Sequence, residues 1–66
     1  MDLTEKMKIR IEHWISHNED HLQEYDVVAR ELEDCGKVES ARHIRQMAAL
    51  LAESNDHLGK ALRALE

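Results

Sequence analysis

The stretch Glu33-Asp34-Cys35-Gly36-Lys37-Val38-Glu39 decides the fold. It is the one interior place where helical sequence breaks. Glycine takes the left-handed conformation just past a helix end at least cost, so Cys35-Gly36 reads as a helix stop. Glu39 then puts negative charge in the first turn of a new helix, where the helix dipole favours it. Outward from this joint little else interrupts. The chain has no Pro, and its second Gly, Gly59, lies within the later helix, where it costs about 1 kcal/mol relative to Ala. Close approach of a neighbour is the natural reason for it. Asp2 followed by Glu5 three residues on is a helix start, with Thr4 as a later cap. The expectation is an all-α fold of two long antiparallel helices in one domain spanning 1–66. Helix 1 covers about 3–35, Gly36 is the joint, and helix 2 covers about 38–64.

Periodicity agrees. Alternating steps of four and three connect Met7, Ile11, Trp14, Asn18, His21, Tyr25, Val28, Leu32 and Cys35. In the second half they connect Ala41, Ile44, Ala48, Leu51, Asn55, Leu58, Leu62 and Leu65. These are heptad seams. Each has apolar shoulders: Ile15, Leu22 and Ala29 on the first, Met47, Ala52 and Ala61 on the second. Ser16-His17-Asn18-Glu19 matches a capping box and is a competing break, but the heptads pass through it without a slip.

With its shoulders the first stripe spans roughly 160°, more than one neighbouring helix covers. A chain of 66 residues rarely encloses a sufficient core alone, and a single Cys makes no internal disulfide. A partner chain or a metal remains. Two hairpins pairing into a dimeric four-helix bundle meet the need, with Trp14, Tyr25, Leu51 and Leu58 as interface anchors. Cys35, beside Glu33 and Asp34, reads as a packed thiol and not a nucleophile.

Charge excludes several partners. Fourteen acids against nine bases give a net −5, which disfavours nucleic acid and anionic membrane surfaces. No apolar run approaches membrane-spanning length and no signal peptide opens the chain, so the expected location is cytoplasmic. The charge is uneven. Residues Glu19 to Asp34 hold seven acids and only Arg30. They are either a solvated helix face or an attraction for the more basic second half, or for a cation. The closing Leu65-Glu66 reads as a cloning remnant, so Glu66 carries no weight.

Histidine is the compositional anomaly. There are five, three of them at His13, His17 and His21. Steps of four place these three along one ribbon of the helix, and two His at i and i+4 can converge on one ion. Glu24 lies on the same side, and His57 with Glu53 approaches from helix 2. The candidate metal ligands are therefore His17 and His21 first, then His13, Glu24 and His57. Neutral imidazole suits a divalent transition metal such as Zn, Ni or Co. A fold about Gly36 also sets Asn18 and Asn55 at one level of the hairpin. They form either a register-setting pair or the shell that orients a ligand site. The pattern lacks the paired E-x-x-H of di-iron bundles, the H-E-x-x-H of zinc proteases and paired Cys.

The run His13-Trp14-Ile15-Ser16-His17-Asn18-Glu19-Asp20-His21 resembles a family of small prokaryotic helical-hairpin proteins of unknown function. Its pattern is H-W-x-x-H-N-x-x-H, then acidic residues, a Gly joint and an Ala/Leu-rich second helix with a central Asn. The resemblance spans nearly the whole chain, including Gly36 and Asn55. It implies the hairpin and supplies no reaction.

The expected function is thus non-enzymatic: a self-associating helical hairpin, expected to pair as a homodimer, with a transition-metal site at the His13/His17/His21 ribbon. The alternative is a structural or adaptor module whose apolar stripe docks on another protein, its histidines solvated or pH-sensing.

Overall fold

The computed structural model describes residues 2–65, so Glu66 lies outside the described residues. Helix α1 runs Leu3–Asp34 and α2 runs Val38–Ala64, packed side by side as an antiparallel hairpin of 51 × 16 × 11 Å. The Asp2 carboxylate accepts from the Glu5 N–H at 2.9 Å and so caps α1. The helix then continues unbroken through Ser16. At its far end Gly36 adopts φ +78°. The Gly36 N–H donates to Glu33 O at 3.0 Å and the Lys37 N–H to Leu32 O at 2.8 Å. These paired bonds satisfy the last carbonyls and turn the chain. Helix α2 starts at Lys37 without a side-chain cap.

The helices meet along a strip. Ala29 and Ala41 are wholly buried, and no large side chain is fully buried among the described residues. Around them Ile11, Ile15, Leu22, Tyr25 and Leu32 lie half-buried with Ile44, Leu51, Leu58 and Leu62. The seam of α2 is the one its periodicity gives. The seam of α1 is rotated from the expected one: Ile15, Leu22 and Ala29 turn inward, whereas Trp14 (46% exposed), Val28 and Cys35 lie outside. Cys35 is therefore not a packed thiol. A stripe wide enough for two neighbours lets the hairpin choose a side, and polar contacts on the Ile15 flank make that choice. Asn55 Nδ2 donates to Ile15 O at 3.3 Å. On the same flank Arg45 reaches Asp26 at 3.1 Å and Glu33 at 2.9 Å. The acidic run of α1 thus attracts the basic α2. Gly59 has no tight neighbour within the hairpin: an added Cβ would meet Arg63 alone, at an ordinary 3.7 Å.

Asp26, Glu33 and Arg45 mark one broad face of the hairpin. At about 100° per residue, Glu12, Glu19 and Arg30 fall on it from α1, and Asp56 and Arg63 from α2. The opposite broad face carries Leu3, Arg10, Trp14, His17, His21 and Val28 from α1. From α2 it carries His43, Met47, Leu50, Ser54 and Ala61. Among these residues Arg10 is the one Lys, Arg, Asp or Glu, and the Glu24 carboxylate stands at the edge of the face, 3.2 Å from His21 Nδ1. The molecule is charged on one side and nearly uncharged on the other.

Asn18 Nδ2 donates to Asn55 Oδ1 at 3.0 Å, and this pair fixes the register. Replacing Asn18 by Ala should cost about 1 kcal/mol in urea denaturation, because the Asn55 carbonyl loses its donor. Asn18→Leu/Asn55→Leu should recover that loss yet blur the alignment, read as broadened amide NMR signals. A harmless single substitution would contradict this account.

A second expectation concerns acid. The hydrogen bond and charge of Arg45 hold the Glu33 carboxyl below its ordinary 4.5. A carboxyl whose folded value lies below its unfolded one stabilises above the unfolded value and loses that effect as pH falls through the folded value. Arg45→Gln should therefore lower the melting temperature at pH 7, and the gap to the unmodified chain should close as pH drops below 4.5. A gap that stays constant down to acid pH would show that the pair does not act on stability in this way.

Candidate functional site

The histidine ribbon occupies the middle of α1, on and beside the uncharged face. Successive steps of four bring the side chains into one column along the helix. The His13 and His17 rings stack with centroids 6.0 Å apart. His17 and His21 meet edge to face at 4.4 Å. His21 in turn stacks on Tyr25 at 5.8 Å. Four rings thus line one ribbon, and the half-buried Tyr25 anchors it to the seam.

Within the column two nitrogens converge: His17 Nε2 and His21 Nε2 lie 2.9 Å apart. The other nitrogen of His21, Nδ1, lies 3.2 Å from Glu24 Oε2. An ionised carboxylate only accepts, so Nδ1 carries the proton and donates it. In neutral His21 the Nε2 lone pair is then free, and His17 Nε2–H donates to it. The arrangement is a carboxylate holding an imidazole in the tautomer and orientation that present Nε2 outward. Metal-binding histidines commonly have such a partner. Two imidazole nitrogens on one tetrahedral Zn²⁺, each at about 2.05 Å, are about 3.3 Å apart. Opening the 2.9 Å pair by a few tenths of an ångström reaches that spacing.

The candidate residues divide accordingly. His17 and His21 come together with convergent nitrogens. Glu24 joins them as a support for His21, on the nitrogen a ligand would leave unused. His13 touches the column only by stacking on His17. No hydrogen bond or ring contact ties the exposed His57 or Glu53 to the column among the described residues. Helix α2 turns them off the seam, and a hairpin level in common is not enough. Nowhere among the described residues do three His, Cys, Asp or Glu side chains gather closely enough to hold an ion. One chain therefore offers two imidazoles and not a complete coordination shell.

Asn18 donates to Asn55 and Asn55 donates to the Ile15 carbonyl, and no hydrogen bond joins either to an imidazole among the described residues. They align the helices, and Glu24 orients the histidine. Glu24 at i+3 from His21 has the spacing of a helical neighbour. Of the expected anchors, Tyr25, Leu51 and Leu58 are half-buried in the hairpin seam, and Trp14 is exposed on the uncharged face. Trp14 sits one turn before His17 and two before His21, on the same side of the helix.

No helix among the described residues is long and apolar enough to cross a membrane. No curated protein and no solved structure matches the chain. A family model described as a domain of unknown function (DUF8180) matches residues 7–65, so nearly all of this hairpin, histidine column and Gly36 joint included, belongs to that family.

Proposed function

We propose that this chain is a non-enzymatic, cytoplasmic helical hairpin that self-associates through its uncharged face into a dimeric four-helix bundle, and that His17 and His21 form a clip for a divalent transition metal. The observation that carries the self-association is a missing core. Ala29 and Ala41 are the buried hydrophobic residues, while Trp14, Val28, Met47 and Leu50 stay exposed. A compact monomer of this mass exposes about 4300 Å². This hairpin exposes 5133 Å². Its face, 51 Å by 16 Å, has a footprint on the order of 800 Å², what one partner of a standard interface buries. A second copy offers the same face with the same near-absence of charge.

The metal clip rests on the 2.9 Å convergence of two Nε2 atoms and on Glu24 behind His21. Zn, Ni and Co suit neutral imidazole. The run from His13 to His21 would then be the signature of a prokaryotic hairpin family, with Trp14 for the interface and His17 and His21 for the ion. A reducing cytoplasm suits the exposed thiol of Cys35.

Sedimentation equilibrium of untagged protein tests the association. The chain should sediment as a dimer, and Trp14→Glu/Met47→Glu should convert it to monomer by placing charge in a desolvated face. A monomeric chain at tens of micromolar would remove the reading and leave a hetero-partner as the occupant of this face. For the clip, chelator-treated protein should gain several degrees in melting temperature on addition of Zn²⁺, because a ligand of the native state stabilises it. His17→Ala/His21→Ala should abolish the gain. An equal gain in that variant would place the ion elsewhere.

A further inference from the structure

The position of the clip along α1 carries one step more. Helix α1, Leu3–Asp34, has its midpoint between Asn18 and Glu19. The His17–His21 pair is centred on Glu19, about half a residue, or about 0.8 Å, from that midpoint. A clip that served one chain could sit at any level of the helix. A clip at the midpoint has a special relation to a second copy.

Two flat hairpins stacked face to face are related by a two-fold axis lying in the plane between them. If the axis runs across the helices, α1 of one copy lies antiparallel on α1 of the other. The faces overlap fully when the axis crosses the midpoint. His17 then faces His21 of the second copy, and His21 faces its His17. Under the same operation Arg10 falls opposite Val28 of the second copy. Glu24 and Glu31 of that copy flank the spot, one helical turn to either side. With the axis along the helices instead, Arg10 falls near Ala61, where no carboxylate shares the face among the described residues.

We propose that the metal site is shared: one divalent transition metal ion, held on the two-fold axis by His17 and His21 of both copies, four imidazole nitrogens in all. This inference rests on the self-association proposed above. It accounts for two further observations. Among the described residues no three ligating side chains gather within one chain, since each copy contributes half a site. Of the histidines, among the described residues, His21 has a carboxylate partner, at 3.2 Å, and in the dimer the two copies supply two such supported ligands on opposite sides of the ion. Four nitrogen ligands close a tetrahedral site for Zn²⁺ or Co²⁺. The bonds that form are four Nε2–metal bonds, and the bound waters leave. In each chain the proton on His17 Nε2 passes through solvent to its Nδ1, so the imidazoles stay neutral and no net proton is released.

The experiment is titration of chelator-treated, untagged, full-length protein with Zn²⁺, with bound metal measured per chain and mass by sedimentation. Co²⁺ serves as a spectroscopic probe of geometry. The expected result is one ion per two chains, intense visible bands of tetrahedral Co²⁺, and a dimer dissociation constant lowered about tenfold or more. His17→Ala/His21→Ala should remain dimeric and lose all three effects. One ion per chain, or no ion bound, in a chain that stays dimeric would overturn the shared site and leave the association standing. A chain that is monomeric with and without Zn²⁺ would overturn both. Glu24→Gln separates support from ligation. It should weaken Zn²⁺ binding and keep one ion per two chains with tetrahedral Co²⁺ bands. A changed stoichiometry or Co²⁺ geometry in that variant would make Glu24 a ligand and overturn the four-imidazole site.

Discussion

Two helices lying side by side can cover only one strip of each other, and every other feature of this hairpin follows from that limit. The strip holds Ala29 and Ala41 completely and the larger apolar residues halfway. A third or fourth helix is what normally turns half-buried Leu and Ile into a core. Trp14, Val28, Met47 and Leu50 are exposed and lie outside the strip. Their exposure is a consequence of helix number, since α1 already presents its Ile15 side to α2 and has no second neighbour for its Trp14 side.

Which side of α1 faces α2 is a question of polar contacts as much as apolar ones. The apolar stripe of α1 is wide, so hydrophobic burial alone leaves its rotation loosely set. Asn55 reads one position, bonding both Asn18 and the Ile15 carbonyl. Arg45 reads another, between Asp26 and Glu33. Exposed ion pairs add little stability, typically under about 1 kcal/mol each. Here their value is directional. They hold the Asp26, Glu33 and Arg45 charges on one broad face, and the opposite face carries few charges. The Asn pair and the Arg45 bridge therefore determine the site's surroundings without touching it.

The same division explains what could be read in the sequence. Gly36 as the joint, Asp2 as the cap and the α2 seam were legible because each depends on neighbours within a turn or on one clean apolar row. The convergence of His17 and His21 was legible for that reason too: spacing of four on a helix fixes it whatever lies opposite. The rotation of α1 was not, because Trp14-Ile15, His21-Leu22 and Val28-Ala29 present adjacent residues of which either could face inward. Deciding needed the partner helix. His57 and Glu53 were misplaced for the same cause, since a level shared between antiparallel helices says nothing about which way a side chain turns. Gly59 remains without a packing reason inside the hairpin.

The histidine column then has a specific physical standing. Its geometry is set by α1 alone, and Glu24 holds His21 oriented. Such a preorganised pair loses little freedom when a further ligand binds, which favours affinity. On the proposed association, two imidazoles are half of a tetrahedral shell, just as one nearly uncharged face is half of a bundle core. Both deficits lie on the same side of the molecule and at the same level of α1. A second copy with its own uncharged face and its own clip would supply both missing halves through one contact, which is why the apolar face and the histidines belong to one account.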